Sequence, residues 1–560
     1  MTKSQAIRRA AIVFALLGLG TLAVVGRLVQ LQILEHEQWA ALAQAIQEDI
    51  IEIPQKRGTI YDRQGRPLAC DVPAYSIALD NYHMTKPELL VRLLHEELGM
   101  PLTEAQDKVY RESYFTWIAR QVDKDNGERL KELAQELGIK GLLFFATWKR
   151  AYPEGRLAPE ILGVVGVDGY GLEGLELKYD DRLRGRSSRY HVLRGRDGRV
   201  YDLWIEDPGA SGTDLHLTLD ADFQRVCEHK IALGVERFRA DRGFALIMDP
   251  RTGAVLALAQ APRYDPNEPD PNLLHSWAVT DVFEPGSTFK ALVGLAALDR
   301  GVVTPEDTFS GDSPLVVAGV PIRNAENKSY GTVTFRYAIV KSVNTVLIQV
   351  AQRLGPELTY DYLSRMGFGK PTEIGLPGEA TGTLRPPEEW TELDLATASF
   401  GQGVSVTGVQ LGAAFCALAN GGTLFRPRLV LGPPEPQARV ASPEACATMR
   451  KLLRDAVALP GGTGHWTDVE GFLIAGKSGT GQKALPGRGY VEGHYTSLMA
   501  AFFPYEAPDY VIIVVYDEVK TFPYWGGSTA GPTVRYLVEE LASEGLLHPY
   551  TETTALGRSG

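Results

Sequence analysis

The chain has 560 residues, with 57 basic and 69 acidic side chains and a formal net charge of −12. Hydrophobic residues make up 44% and charged residues 22%, a globular composition that excludes disorder throughout and a polytopic membrane protein. The acidic excess argues against a nucleic-acid partner. Four scattered cysteines without a CxxC or Cys/His pairing predict no disulfide framework and no metal site, and we expect no cofactor. The length predicts three or four domains, at roughly 150 residues each.

The first predicted element is an apolar segment near the N-terminus. Residues 10–26 contain no charged side chain, and beyond Arg27 the apolar pattern continues to Leu34. A run of this length is the lower limit for a helix that crosses a bilayer. An arginine near its end can extend its charge to the interface. The sequence therefore predicts a single transmembrane anchor over 10–34.

The charges around this segment predict its orientation. Three basic residues precede it, Lys3, Arg8 and Arg9. Because basic flanks stay on the cytoplasmic side, 1–9 is predicted to be a cytoplasmic tail, with the bulk of the chain in the periplasm or outside the cell. A cleaved signal peptide is the main alternative, but no small-x-small cleavage site is visible. The apolar pattern instead continues as a helix that contains Trp39, Leu42 and Ile46. A buried core helix is the third alternative, which the basic flank disfavours.

An N-terminal module is predicted over 35–206. A DRQG turn between two alternating stretches in 57–69 predicts a hairpin. Apolar residues at three- and four-residue spacing predict a helical head at about 83–150. A glycine-rich stretch with a strand-like pattern follows. The small polar residues of 207–214, DPGASGTD, predict a linker.

A larger domain is predicted over 215–550, followed by a flexible tail at 551–560. It begins with a helix and a hairpin, FALIMD-PRTG-AVLALA. A helical section, about 287–460, precedes three further strands and a last helix over 532–543. Two strands before the helical section and three after it can pair into one antiparallel sheet of five. The fold class is therefore predicted to be α+β.

The first candidate for chemistry is Ser287 with Lys290, in FEPGSTFKALVGL. Pro285-Gly286, a pair that interrupts helices, precedes the serine, and apolar residues follow it at helical spacing. This pattern predicts that Ser287 lies at a helix N-terminus. Lys290 then lies on the same helix face one turn later. A serine needs a base to become a nucleophile, and a buried lysine with a lowered pKa can be that base. Taken alone, S-x-x-K is weak, because a capping serine followed by a solvated lysine is common.

Two further motifs follow in the chain. Ser342-Val343-Asn344 offers a hydroxyl and an amide, although a serine that begins a helix would look the same. Lys477-Ser478-Gly479-Thr480 ends an apolar strand. A cation, two hydroxyls and an open strand edge suit an extended peptide with a carboxylate end, although a simple turn would also fit.

Together, S-x-x-K, S-x-N and a K-T-G-like element form the signature of penicillin-recognising serine enzymes. The chain also resembles class B penicillin-binding proteins, of the penicillin-binding protein 2 and FtsI family. RGTIYDRQGRPLA, RAYPEGR, GLEGLELKYDDRLRG and RGRDGR resemble the N-terminal module of that family. MDPRTGAVLALAQAPRYDPN, SFGQGVSVTGVQL and YWGGSTAGP resemble its transpeptidase domain.

The resemblance implies an elongated mixed α/β pedestal, or dimerisation-like module, and a transpeptidase domain with an all-helical subdomain beside its sheet. The implied activity is a peptidoglycan D,D-transpeptidase that cross-links stem peptides of lipid-linked nascent glycan and is acylated by β-lactams. No stretch is available before the module for a glycosyltransferase domain, so the bifunctional class is disfavoured. Elongation and division roles both remain open.

The resemblance also implies roles for the motif residues. Ser287 would be the acylated nucleophile and Lys290 its base. Ser342 would relay a proton to the departing amine, and Asn344 would hold the peptide amide. Lys477 would keep the site positive.

The substrate carboxylate would bind on the third motif, through Ser478, Gly479 and Thr480. The backbone N–H groups of Ser287 and Thr480 would form an oxyanion hole. The chain departs from the family pattern in having Ser478 where threonine is common. It also has Thr407-Gly408 where a threonine-proline pair is usual.

Four alternatives share some of these motifs. A β-lactamase rarely carries an anchor and a long N-terminal module. A D,D-carboxypeptidase is disfavoured by the same module. A β-lactam-acylated sensor would normally need further membrane helices. A scaffold that has lost activity stays an alternative, because intact motifs do not prove turnover. The resemblance finally implies a polytopic SEDS glycosyltransferase partner of the RodA or FtsW type. The helix surface that Gly18, Gly20 and Gly26 leave open is suited to packing against such a partner.

Overall fold

The computed structural model describes residues 3–39, 48–113, 115–194, 200–485 and 489–550. The predicted flexible tail at 551–560 lies outside the described residues, as do Leu42, Ile46 and most of RGRDGR. The chain forms two compact units, each built from separate stretches. The first unit comprises Met1–Arg57, Asp71–Lys149 and Arg184–Gly212, and the second comprises Gly58–Cys70, Arg150–Leu183 and Thr213–Gly560. The predicted linker at 207–214 and the other domain boundaries stay predictions.

The apolar N-terminal segment forms a helix over Lys3–Val29, which continues into a π-helical turn, Gln30–Leu34. Its large apolar side chains are exposed along most of its length. By length and composition it can cross a membrane, and it is the one such helix among the described residues.

Among its described residues, the rest of the first unit contains two sheets and, after residue 48, three helices. Strand Pro67–Leu79, most of which lies in this unit, pairs with Thr116–Asp123 and Leu142–Ala151. A second sheet has the order Glu48–Ile53, Ser188–Arg194, Val200–Asp207. The helices are Pro87–Leu98, Leu102–Val109 and Lys124–Glu136.

The predicted helical head is wrong in part, because strands Thr116–Asp123 and Leu142–Ala151 lie within 83–150. Local periodicity favoured helices on either side of them. Their strand partner, Pro67–Leu79, is some 40 to 80 residues distant in the chain, and that pairing is invisible to a local pattern. The apolar faces of the helices pack on this sheet around Leu90, Leu94, Ile118 and Leu130.

The second unit contains the predicted antiparallel sheet of five strands. Its order is Ala254–Ala261, Arg242–Asp249, Tyr510–Asp517, Gly489–Phe503, Ala475–Leu485. Every neighbouring pair is antiparallel. The two strands before the helical section and the three after it therefore meet as predicted, and the α+β fold class is confirmed.

Both faces of this sheet are buried, which explains why the strands Arg242–Asp249, Ala254–Ala261 and Tyr510–Asp517 are almost continuously apolar. On one face, Leu246 and Ile513 join the larger core with helix Gly408–Ala419. On the other, Ile247 and Ile512 join a second core with two helices, Ala221–Phe238 and Ala530–Ser543. The last strand in the order, Ala475–Leu485, forms an edge of the sheet.

Seven helices of at least seven residues lie in the section predicted to be helical: Phe289–Asp299, Phe335–Lys341, Asn344–Leu354, Pro356–Arg365, Glu392–Ala398, Gly408–Ala419 and Pro443–Ala458. This section is not wholly helical, because three short strand pairs interrupt it. The pairs are Thr308–Ser310 with Thr332–Thr334, Leu315–Val317 with Val320–Ile322, and Thr423–Phe425 with Pro436–Arg439.

Shorter elements complete the second unit. Short helices cover Pro159–Leu162, Gly174–Lys178, Asp180–Arg184 and Trp277–Thr280. The predicted hairpin around DRQG is present, and strand Ile60–Tyr61 also pairs in parallel with Leu215–His216. The turn closes with a hydrogen bond of 2.9 Å from the Asp62 amide to the Arg66 carbonyl.

The structure explains the departure at Thr407-Gly408. The Thr407 side chain accepts from the Gln410 amide, and the Gln410 side chain accepts from the Thr407 amide. This capping box begins the helix without a proline. A Cβ at Gly408 would lie 2.4 Å from the Phe244 ring, so this ring occupies the space that a larger residue would need.

Candidate active site

Ser287 lies in a 3₁₀ turn, Gly286–Thr288, that runs directly into helix Phe289–Asp299. The prediction that it lies at a helix start is therefore confirmed. The Thr288 hydroxyl donates to the Pro285 carbonyl at 2.7 Å and stabilises the turn. Ser287 itself is half-buried, beside the positive end of the helix dipole.

Lys290 is fully buried in the first turn of the same helix. Its Nζ donates to the Ser342 carbonyl at 2.6 Å, to Ser342 Oγ at 2.9 Å and to Asn344 Oδ1 at 2.5 Å. Burial, and then the charge of Lys477, hold the pKa of Lys290 well below its usual range. The first two motifs, more than 50 residues apart in the chain, therefore share one buried amine.

Ser342 and Asn344 lie at a junction between two helices. Helix Phe335–Lys341 ends at Ser342, which adopts a left-handed conformation with φ of 58°. Asn344 then begins helix Asn344–Leu354. The left-handed residue reverses the chain, so that both side chains reach the same amine. The second amide atom of Asn344, Nδ2, donates to the Arg323 carbonyl at 2.8 Å.

The third motif lies on the edge strand Ala475–Leu485. Lys477 is fully buried, and burial lowers its pKa to about 7. Its Nζ donates to the Ser478 carbonyl at 3.0 Å. The Thr480 hydroxyl oxygen accepts from the Gly526 amide at 3.1 Å. Because that oxygen is the acceptor, the hydroxyl hydrogen of Thr480 is left to donate elsewhere.

Glycines allow the nucleophile turn to lie directly against this strand. A Cβ on Gly286 would meet the Thr480 carbonyl oxygen at 2.8 Å, and one on Gly479 would meet the Pro285 carbonyl oxygen at 2.8 Å. The Gly286 amide donates to the Gly401 carbonyl at 3.1 Å. The first and third motifs and the SFGQG turn are therefore in backbone contact, and the second motif is joined to them through the Lys290 side chain.

The structure thus brings together every residue that the sequence nominated, and it adds others. The additions are backbone groups of Arg323, Gly401 and Gly526. The sequence indicated Gly401 and Gly526 only because they lie in SFGQG and YWGGSTAGP, two stretches that resemble the family. The Arg323 carbonyl had no signal in the sequence, because any residue carries a carbonyl.

This arrangement suits acyl transfer. The serine hydroxyl lies at a helix start, and one turn away is a buried amine whose pKa is lowered, as a general base requires. A cationic, hydroxyl-bearing strand edge runs alongside to hold an extended peptide. The fold and the site define a penicillin-recognising serine acyltransferase.

Comparisons with known proteins agree with this class. The chain matches the family model of the penicillin-binding protein transpeptidase domain over residues 243–539. It matches that of the penicillin-binding protein dimerisation domain over residues 52–217. It is 33% identical to the "Probable peptidoglycan D,D-transpeptidase PenA" of Neisseria gonorrhoeae, with 87% of this chain and 84% of that protein covered. It is 30% identical to the peptidoglycan D,D-transpeptidase FtsI of Escherichia coli K12, with 91% and 87% covered.

A solved structure is also similar. Penicillin-binding protein 2X of Streptococcus thermophilus superposes with a TM-score of 0.76 at 26% identity, over 89% of this chain and 80% of that one. The chain belongs to the class B penicillin-binding proteins, the family of peptidoglycan D,D-transpeptidases. The predicted family, pedestal-plus-transpeptidase architecture and enzyme class are confirmed.

Proposed function

We propose that this chain cross-links peptidoglycan stem peptides through an acyl-enzyme on Ser287. The observation that carries the proposal is the environment of Lys290. This amine is fully buried, lies one helical turn after Ser287 and contacts both Ser342 and Asn344. In the described part of the chain its hydrogen bonds go to neutral oxygen atoms rather than to a carboxylate, and a buried lysine in such surroundings suits a base rather than a structural ion pair.

The acceptors around Lys290 support a proton cycle. A lysine ammonium has three N–H donors, and three acceptors lie 2.5–2.9 Å from Nζ. The neutral amine has two N–H donors and a lone pair that can accept a proton. When Lys290 accepts the Ser287 proton, all three acceptors therefore receive a donor. The site stabilises the charge that forms as Ser287 attacks.

Acylation follows from this arrangement. The Ser287 Oγ forms a bond to the carbonyl carbon of the penultimate D-Ala, and its proton moves to Lys290 Nζ. The bond from that carbon to the terminal D-Ala nitrogen then breaks. The departing nitrogen takes the proton of the Ser342 hydroxyl, which Lys290 replaces. The amine of a second stem peptide then attacks the ester carbon, and the bond from that carbon to Ser287 Oγ breaks. The proton that the amine loses returns to Ser287 Oγ through Lys290 as the cross-link forms.

The edge strand serves substrate binding in this proposal. Ser478 and Thr480 donate hydroxyls to the terminal carboxylate, and Lys477 supplies positive charge behind them. Gly479 keeps the strand free of a side chain against the nucleophile turn. In this proposal the backbone N–H groups of Ser287 and Thr480 form the oxyanion hole. A β-lactam acylates Ser287 by the same route.

Labelling with a fluorescent penicillin tests the nucleophile. We expect Ser287→Ala to abolish the covalent adduct while Ser211→Ala, a serine distant from the motifs in the chain, retains it. An adduct that survives in Ser287→Ala would refute the assignment. Product analysis with a D-Ala-D-Ala pentapeptide and an amine acceptor distinguishes a D,D-carboxypeptidase. A transpeptidase yields the dimer, whereas a carboxypeptidase yields the hydrolysed peptide. A β-lactam-acylated sensor or scaffold would yield neither product.

The N-terminal helix is proposed to anchor the enzyme in the plasma membrane. Basic residues at its start favour a cytoplasmic N-terminus, with the catalytic unit in the periplasm or outside the cell. A Cβ at Gly18, Gly20 or Gly26 would meet nothing within 4 Å, so the backbone is open to a neighbouring helix.

We propose a polytopic SEDS glycosyltransferase as the occupant of that helix surface, because a class B enzyme needs a separate polymerase. Affinity purification of the full chain from membranes, compared with a chain whose three helix glycines are changed to isoleucine, tests the contact. Equal recovery of the polymerase with both chains would refute it.

A further inference from the structure

A buried asparagine closes the loop between Gly311 and Lys328, which precedes the second motif. Asn324 is 4% exposed. Its Nδ2 donates to the Gly311 and Lys328 carbonyls, both at 3.0 Å. Its Oδ1 accepts from the Thr345 amide at 3.1 Å. The side chain therefore closes the loop on one side and holds the start of helix Asn344–Leu354 on the other.

The neighbouring carbonyl determines how the Asn344 amide is oriented. The Arg323 carbonyl can only accept, so the end of the Asn344 amide that faces it at 2.8 Å is Nδ2. The other end, Oδ1, then faces Lys290 at 2.5 Å. If the amide were rotated by half a turn, its N–H₂ group would face the lysine donors and the contact would be lost.

We propose that Asn324 is a positioning residue for acyl transfer. By binding the Thr345 amide and closing the loop, it holds the adjacent Arg323 carbonyl in register with Asn344. Asn344 then presents Oδ1 to Lys290. This inference rests on the proposed roles of Lys290 and Asn344. In the described part of the chain, the hydrogen bonds of Asn324 go to Gly311, Ser313, Lys328 and Thr345 rather than to the nucleophile or the lysine.

The contact with Thr345 separates this role from ordinary loop closure. A loop asparagine that only satisfied the Gly311 and Lys328 carbonyls would stabilise the loop alone. Asn324 also binds the first turn of the helix that carries Asn344. Its neighbour Arg323 binds the Asn344 side chain. A two-point attachment of this kind couples the loop position to the geometry around Lys290.

The test measures the acylation rate of the full chain at increasing concentrations of fluorescent penicillin. Each rate is divided by the number of sites that are labelled at the end of the reaction. We expect Asn324→Ala to lower the maximal acylation rate by up to about 100-fold, the loss that a displacement near 1 Å can cause. The half-saturating concentration should change less, because the edge strand is untouched. Val316→Ala, an exposed residue of the same loop, is the matched control and should keep wild-type kinetics. A purely structural role would lower the fraction of labelled sites and leave their rate unchanged.

A double-mutant cycle makes the test decisive. If Asn324 acts through Asn344, Asn324→Ala should have little further effect in an Asn344→Ala background. Additive losses, or a wild-type rate in folded Asn324→Ala, would overturn the proposal. If Asn324→Ala fails to fold, Asn324→Asp replaces it. This variant keeps an acceptor for the Thr345 amide but lacks the two N–H donors, so its rate should also fall.

The outcome for the proposed function is read separately. Labelling of Ser287→Ala would refute the nucleophile. Loss of that label together with a wild-type rate in both Asn324 variants would refute only the positioning role.

Discussion

Gly401 provides a test of how closely the nucleophile turn must be held. Its φ is +78°, and a Cβ there would lie 2.2 Å from the Gly286 carbonyl oxygen and 2.7 Å from the Gly286 nitrogen. Gly401 has no side chain to take part in the chemistry. Gly401→Ala therefore perturbs the site only through the backbone of the nucleophile turn.

Two costs add in this variant. An alanine in the left-handed region costs about 1 kcal/mol. The methyl group must also move away from the Gly286 oxygen by about 1 Å to reach an ordinary contact, and a shift of that size at a reacting group can lower the rate about 100-fold. The peptide that moves joins Gly286 to Ser287, so the N–H group proposed for the oxyanion hole moves with it.

The matched control is Gly319→Ala. Gly319 has a similar φ of +81°, but a Cβ there would meet nothing within 4 Å. It bears the conformational cost without the clash. We expect both variants to unfold at lower temperature, and only Gly401→Ala to lose most of its penicillin acylation rate. Equal acylation rates in the two variants would refute the reasoning that the Gly401 backbone positions Ser287.

Four further predictions concern the lysines and the core. Lys290→Ala should lower the acylation rate by about 10² to 10⁴, as for loss of a general base, and a wild-type rate would remove Lys290 from the mechanism. Burial and then Lys477 lower the pKa of Lys290, so Lys477→Met should raise that pKa and move the acid limb of the acylation profile to higher pH. Burial lowers the pKa of Lys477 to about 7. Protonation of Lys477 therefore lowers the free energy of unfolding, and this cost grows as pH falls from about 10.5 to 7. The melting temperature of Lys477→Met relative to wild type should therefore be higher at pH 7 than at pH 10, and the opposite trend would contradict the assignment. Phe289→Ala removes a fully buried ring that packs on Phe368 with centroids 4.8 Å apart, so the free energy of unfolding should fall by about 3–5 kcal/mol.

The motif residues could be predicted from the sequence because their signals are local. A breaker pair followed by helical spacing indicated that Ser287 begins a helix, and Lys290 is one turn away by helical geometry alone. Alternating and continuous apolar runs predicted the hairpin and the three late strands. The apolar segment over 10–34 stands out by composition.

The missed elements depend on partners that are distant in the chain. Strand Thr116–Asp123 forms because strand Pro67–Leu79 offers it a hydrogen-bonded edge. The left-handed conformation of Ser342 occurs where helix Phe335–Lys341 ends, two residues before the next helix begins. Neither feature has a pattern within a window of a dozen residues.

The sequence by itself determined which side chains are available for chemistry, because S-x-x-K, S-x-N and K-S-G-T are properties of residue type and short spacing. Only the tertiary structure decided that they meet. It buried Lys290 beside Ser342 and Asn344 and turned the Asn344 amide toward it through the Arg323 carbonyl. It also packed Gly401 and Thr480 against the nucleophile turn. Burial and backbone contact arise from packing between distant segments, and burial, followed by the charge of Lys477, lowers the pKa of Lys290.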